Sequence, residues 1–326
     1  MSAVSATVRG LFLKVVMGAA LLSAFAWADQ LSIPHIGVMT GGAWSSVEEG
    51  LRDGLHELGY IDGKSIVIEW RRSLGTDKEL RSLASELASA KVELIVVFST
   101  PAARAVLQTT TVPVVFGVGD PVGSGLAASV VHPGGRSTGV SMLMPEMVSK
   151  RVQLLRQVAP GIRRIVFLMN SSNPLNVPML EEAQRAAQAL SVELVALDAR
   201  NADEIDAALR AMPRGAADGV VVSPDLLFVQ NKTRIAQAVR KAKLSAIFPF
   251  KEYHDDRVLM SYGANTRESA RKVTVYVDRI LKGAKPSELP IEQMSKYELI
   301  IDLRVARAMG IHVPQDLLLR ADEVIR

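Results

Sequence analysis

Leu94-Ile95-Val96-Val97-Phe98-Ser99-Thr100-Pro101-Ala102-Ala103-Arg104 is a continuous apolar run, two hydroxyl residues, a proline and then a helix-forming segment. A strand buried on both faces of a parallel sheet reads as such a run, and proline just inside a helix start after serine or threonine is a capping pattern. The stretch is therefore strand, tight loop and helix N-terminus. Free backbone N–H groups and two hydroxyls then point beyond the strand's carboxyl end.

The same pattern recurs about 125 positions later as Gly219-Val220-Val221-Val222-Ser223-Pro224-Asp225. Three further elements recur in order. Ile36-Gly37-Val38-Met39, a polar loop and a helix from Val47 to Leu58 are echoed by Ile165 to Met169, Asn170 to Pro174 and a helix from Met179 to Leu190. Ser65 to Trp70 is echoed by Val192 to Leu197, and Asp77 to Leu80 by Asp203 to Asp206. The period is too long for a solenoid. It predicts an α/β fold of two Rossmann-like lobes with parallel sheets, each βαβαβ, with ligand loops at the strand ends.

The first residues are not part of that plan. Arg9 and Lys14 flank or precede the apolar run Val15 to Ala26, which ends in the small-x-small pattern Ala26-Trp27-Ala28. Residues 1–28 are thus expected to be a signal peptide cleaved after about Ala28. The alternative is an uncleaved anchor over Leu11 to Ala28, which would need about 20 apolar residues. The chain has no cysteine, so neither a lipobox nor a disulfide framework exists, and a soluble periplasmic protein is expected. The formal net charge of +4 falls to +2 without Arg9 and Lys14, and no basic cluster with interleaved aromatics occurs. Nucleic acid is therefore excluded as a partner, and a monomer binding a small molecule is expected.

The candidate binding residues lie in the strand-end loops. In Thr40-Gly41-Gly42-Ala43-Trp44-Ser45-Ser46 the glycines admit a ligand close to the backbone, and Thr40 and Ser45 offer hydroxyls to a carboxylate. Trp44 is either a packing residue or a stacking wall for a ligand ring. No phosphate-loop or dinucleotide fingerprint is present, so no cofactor is expected. Ser99 and Thr100 follow the opening strand. Asp120, in Gly119-Asp120-Pro121, is either a partner for a ligand ammonium or an Asx-turn residue. Asn170, Ser172 and Asn173 form a loop of hydrogen-bonding capacity in which one residue caps the next helix and another is free for ligand. Asp225 stands at the matching place of the second repeat, and Tyr262 lies in Met260-Ser261-Tyr262-Gly263. One helix is expected from Val229 to Ala242.

At these residues the chain resembles the ABC transporter substrate-binding protein family that includes tryptophan- and aromatic-amino-acid-type binding proteins. The resemblance rests on Leu55 to Tyr60, Ser99 to Ala103, Gly119 to Val122, His132 to Gly135, Thr138 to Ser141, Asn173-Pro174, Met260 to Gly263, Ile280 to Pro286 and Arg320 to Ile325, in that order. It departs from the family pattern at Asp256-Arg257, where a glycine pair is usual, and at Phe248-Pro249-Phe250, where Tyr-Gly-Phe is usual. The resemblance implies a type I periplasmic binding protein fold. Lobe one would be Ser32 to Ser141 plus Ser261 to Glu288, and lobe two residues 142–260 plus 289–326, joined by a three-crossing hinge. It also implies a permease partner in the inner membrane and an amino-acid-like ligand, possibly aromatic.

Two other classes stay open at this point. A Rossmann-type enzyme would need a nucleophile with a base; His35, His56, His132, His254 and His312 are scattered, and neither H-E-x-x-H nor G-x-S-x-G occurs. No catalytic or metal-ligating residue is therefore assigned, and His254-Asp255-Asp256 reads as a solvated loop. A binding module serving a sensor rather than a transporter fits the sequence as well.

Overall fold

The uninterrupted apolar runs become the central strands of two sheets in the computed structural model, which describes residues 33–41, 44–73, 75–211 and 218–326. The expected leader over residues 1–28 lies outside the described residues, as do Gly42 and Ala43. The first sheet contains β1 (His35–Gly41), β2 (Val67–Ser73), β3 (Leu94–Val97), β4 (Val114–Val118) and β5 (Ser137–Ser141), all parallel and in the order β2-β1-β3-β4-β5. The second repeats the plan with β6 (Arg164–Met169), β7 (Glu193–Asp198), β8 (Gly219–Val222), β9 (Ser245–Phe248) and β10 (Met260–Ala264), in the order β7-β6-β8-β9-β10. The chain order reverses between β1 and β3, and again between β6 and β8. Those are the places where crevices open at the carboxyl ends of doubly wound sheets.

The helices follow the strands. They are α1 (Ser45–Glu57), α2 (Asp77–Ser89), α3 (Thr100–Thr109), α4 (Met144–Val158), α5 (Asn176–Ala189), α6 (Ala202–Ala211), α7 (Leu226–Gln230), α8 (Lys232–Lys241) and α9 (Thr266–Leu281), with α10 (Leu303–Met309) and α11 (Gln315–Arg320) near the C-terminus. The single helix expected from Val229 to Ala242 is two, α7 and α8, broken at Asn231, whose amide donates to the Leu227 carbonyl at 2.8 Å. An asparagine that takes an i−4 carbonyl with its side chain competes with the helical ladder at that point.

Three peripheral strands are added to this plan, and the two in the second sheet run against it. β11 (Glu292–Gln293) pairs with β5 in the first sheet, β12 (Tyr297–Asp302) runs antiparallel to β10, and β13 (Glu323–Ile325) lies parallel to β12. The reason is directional: β11, parallel to β5, delivers the chain to the side where the two sheets face each other, so β12 starts there and runs away. The crossing expected at Ser261 falls inside β10, whose backbone pairs with β9 and β12 on either side. Only after Ala264 does the chain return to the first lobe, and it remains there through Gln293.

The return helix α9 seals the first lobe. It buries Ser269, Ala270, Val273, Thr274 and Val277, and it crosses α1 so closely that a Cβ on Gly50 would stand 2.1 Å from the Arg267 carbonyl oxygen. Only a residue without a side chain permits that approach.

Candidate functional site

On the first-lobe side, Ser99 is the N-cap of α3, and its hydroxyl accepts from Ala102 N–H at 3.2 Å. That bond divides the labour of the opening stretch. Ser99 satisfies the helix, and the neighbouring Thr100 hydroxyl, in a residue only 3% exposed, has no hydrogen-bond partner among the described residues. A buried hydroxyl left unpaired costs about 1–3 kcal/mol. Trp44, 5% exposed, meets Phe250 of the second lobe edge-to-face at 5.8 Å and 71°, and its indole Nε1 is likewise unpaired among the described residues. Trp44 thus packs across the lobes, and it also lines the cavity.

On the second-lobe side, Asp225 is the N-cap of α7, the same role as Ser99. Its carboxylate accepts from Leu227 N–H at 2.9 Å and from the side-chain amides of Asn173 at 2.8 Å, Asn170 at 3.3 Å and Asn176 at 3.5 Å. Every one of these donors is neutral. Burial pushes its pKa up, and the amide and N–H bonds pull the other way. The result is a buried carboxylate held by dipoles, with no ion pair to a lysine, arginine or histidine among the described residues.

Between these two loop sets lies a narrow cleft lined by residues of both lobes. Its polar lining includes Ser99, Thr100, Asn173 and Asp225; Trp44, Phe98, Met142, Met144, Leu175 and Phe250 make the apolar wall. A site with one anionic residue facing a helix N-terminus, floored by aromatics and thioethers, matches a small zwitterion with an apolar side chain.

The remaining candidates fall elsewhere. Thr40 borders an adjoining smaller space, and its hydroxyl donates to Glu48 at 3.4 Å, which is itself paired with Arg72 at 2.7 Å. Asp120 takes the turn role: its carboxylate accepts from Gly123 N–H at 2.8 Å, and Gly119 rather than Asp120 borders the cavity. Asn170 and the exposed Ser172 line a neighbouring space together with Asn173 and Asp225. Ser45 is exposed at the start of α1. Tyr262 stacks on Tyr297 at 6.2 Å, away from the cavity, while its carbonyl accepts from the buried Arg151 Nε at 2.8 Å. His254 corrects the solvated-loop reading, being 9% exposed with Nε2 3.0 Å from Ser261 Oγ. Sequence reasoning missed Met142, Met144, Leu175, Leu226 and Phe250, which are apolar. Leu226 had one available signal, since it follows the cap Asp225 as Thr100 follows the cap Ser99.

The lobes also touch outside the cavity. Glu252 of the second lobe takes the hydroxyls of both Ser46 and Thr266, near the N-termini of α1 and α9, and those hydroxyls lie 2.9 Å apart. The Gln230 amide donates to the Ser73 carbonyl at 2.5 Å. No described helix is long and apolar enough to cross a membrane, and no described group of His, Asp and Glu could hold a metal.

Known proteins share this architecture. The family model for ABC transporter substrate binding protein matches residues 35–325. A "Tyrosine-binding protein" of Clostridioides difficile is 24% identical over 266 residues, covering 81% of this chain and 76% of the relative. An ABC domain from Streptococcus pneumonia solved in complex with L-Trp superposes with a TM-score of 0.84 at 24% identity, over 90% of this chain and 100% of that one. The ligand-free, open structure of a substrate binding protein with adhesive properties from Clostridium difficile gives a TM-score of 0.64 at 22% identity, over 90% and 99%. The fold is that of the type I periplasmic binding proteins, and with the family model spanning nearly all of both lobes, the chain belongs to the ABC transporter substrate binding protein family.

Proposed function

We propose that this protein is the extracytoplasmic solute-binding component of an ABC importer, holding one small amino acid with an aromatic or apolar side chain between its lobes and performing no chemistry. The observation that carries this reading is the pairing, across one cavity, of a buried carboxylate with no cationic partner among the described residues, Asp225, and an unpaired buried hydroxyl at a helix N-terminus, Thr100. A ligand ammonium supplies the missing cation at Asp225. Its carboxylate goes to the Thr100 hydroxyl and the positive end of α3, where an anion is favoured. Its side chain lies against Trp44 and Phe250, in van der Waals and ring contact. The ammonium partner is thus Asp225, which lines the cavity, in place of Asp120, which does not border it.

Closure follows from the same groups. The ligand bridges residues of both lobes, so its differential affinity favours the arrangement in which they face each other, with the three inter-lobe segments as hinge. The closer superposition on the L-Trp complex than on the open, ligand-free relative supports this. A monomer exported by the leader and docking on an inner-membrane permease completes the reading.

A thermal-shift screen of the twenty amino acids against monosaccharides and neutral aromatics tests it. A ligand at a hundred times its dissociation constant stabilises by about 2.7 kcal/mol. If sugars or neutral aromatics raise the melting point while every amino acid leaves it unmoved, the zwitterion assignment is wrong.

A further inference from the structure

Leu226 occupies the position on α7 that Thr100 occupies on α3, directly after the capping residue, and its side chain reaches into the other lobe. A Cβ on Gly41 would lie 2.0 Å from Leu226 Cδ1, so the leucine rests on bare backbone at the end of β1. Leu226 is 9% exposed. Three empty spaces of about 310, 520 and 220 Å³ meet at this point, and among the described residues Leu226 and Ser99 alone line all three. Ser99 is small and fixed by its cap bond, so Leu226 is the bulky element they have in common.

The spaces it stands between differ in chemistry. The first is the apolar-walled cavity already described. The second, of about 520 Å³, is bordered by Asp77, Asn170, Ser172 and Asn173, with Asp225 on the wall shared by both. We propose that Leu226, seated on Gly41, is the specificity-determining partition of the cleft: it confines the ligand to a single amino acid and excludes peptides extended at the amino end. Such a peptide would place its first residue in the second space, where Asp225 still lines the wall and the Asp77 carboxylate, paired with Arg81 at 2.9 Å, stands at the border. Exclusion by one apolar side chain discriminates by a clash with the wrong ligand, in addition to any gain in contacts to the right one.

This inference rests on the amino-acid reading above, and the experiment separates the two. L-phenylalanine and glycyl-phenylalanine are titrated calorimetrically into the parent protein, Leu226→Ala and the milder Leu226→Val. The parent is expected to favour the amino acid over the dipeptide at least a hundredfold. Leu226→Ala is expected to cut that preference at least tenfold, with Leu226→Val between. In parallel, acrylamide quenching of Trp44 is measured in chains where it is the sole tryptophan (W27F and W70F), with and without L226A. Joining the spaces should raise the quenching constant several-fold, because Trp44 borders two of them. An unchanged ligand ratio in folded L226A, or unchanged quenching, overturns the partition. If the parent binds neither probe, quenching alone decides the partition, and the amino-acid reading is decided by the screen of all twenty amino acids.

Discussion

Thr100→Val is the substitution with the most to say, because stability and affinity should move in opposite directions. Valine keeps the shape of threonine and deletes the hydroxyl. In the free protein that hydroxyl is buried and unpaired among the described residues, so its removal forgoes no internal hydrogen bond and relieves up to about 1–3 kcal/mol of desolvation cost. On the amino-acid reading, the same hydroxyl in the complex donates to the ligand carboxylate, a charged bond worth about 1.5–3 kcal/mol, or roughly 10- to 150-fold in dissociation constant. The variant should thus bind the amino acid 10- to 150-fold more weakly while its ligand-free melting temperature holds or rises, by about 2–4 °C per kcal/mol. Ser99→Ala is the contrast. It removes the cap of α3, and should lower stability by about 0.5–2 kcal/mol. Calorimetry and thermal denaturation on the two variants give all four numbers. If Thr100→Val loses stability and affinity together, or keeps its affinity, the hydroxyl is a structural group and its assignment to the ligand is wrong.

Three more outcomes are expected. Burial holds the Asp225 carboxyl above the ordinary carboxylate range, so the free fold loses stability as pH rises from the ordinary titration point to the raised one; an ammonium ligand needs the ionised form. Affinity should therefore fall on acidification through the raised value, by up to about tenfold per pH unit, and calorimetry showing no change down to the ordinary range would remove the charge pairing. Glu252→Gln weakens the carboxylate that takes the Ser46 and Thr266 hydroxyls across the lobes, from charged bonds of about 1.5–3 kcal/mol to neutral ones of about 0.5–1.5 kcal/mol. Stopped-flow should show ligand release accelerated several-fold, and an unaltered rate would mean that these contacts do not hold the lobes together. His254, pulled down to about 4 by burial, stays neutral in the fold; its contribution is present above the unfolded value near 6.5 and is lost as pH falls toward 4. Acid titration of stability should lose on the order of 3 kcal/mol to this residue over that window, and His254→Gln should flatten that limb; a parallel limb in the variant contradicts the assignment.

Much of the fold was legible because buried parallel strands announce themselves. Leu94 to Val97 and Gly219 to Val222 have no exposed position and each is followed by a capped helix, so strand, loop and helix could all be placed. The antiparallel β12 was not legible as such, since its direction depends on which end of the lobe the chain re-enters from and not on its composition. At the site, the polar candidates were found by type and then sorted by geometry. Ser99 and Asp120 are spent on backbone N–H groups, and Thr100 is not. A sequence names the groups able to bind, but only coordinates show which are already taken. The apolar wall escaped because Met142, Leu175 and Leu226 have the composition of any core, and only the facing of two lobes turns them into a lining.

The helix that closes the first lobe bears on how the chain is made. α9 begins about 125 residues after β5, and in between the whole central part of the second sheet is encoded. During vectorial synthesis, β1 to β5 emerge with the face that α9 will cover still bare, and Gly50 on α1 waits for the Arg267 backbone it touches. The second lobe's five central strands are complete before the first lobe is. The early-emerging half therefore carries exposed apolar surface longest, and it is the half most open to wrong association while the rest of the chain is made.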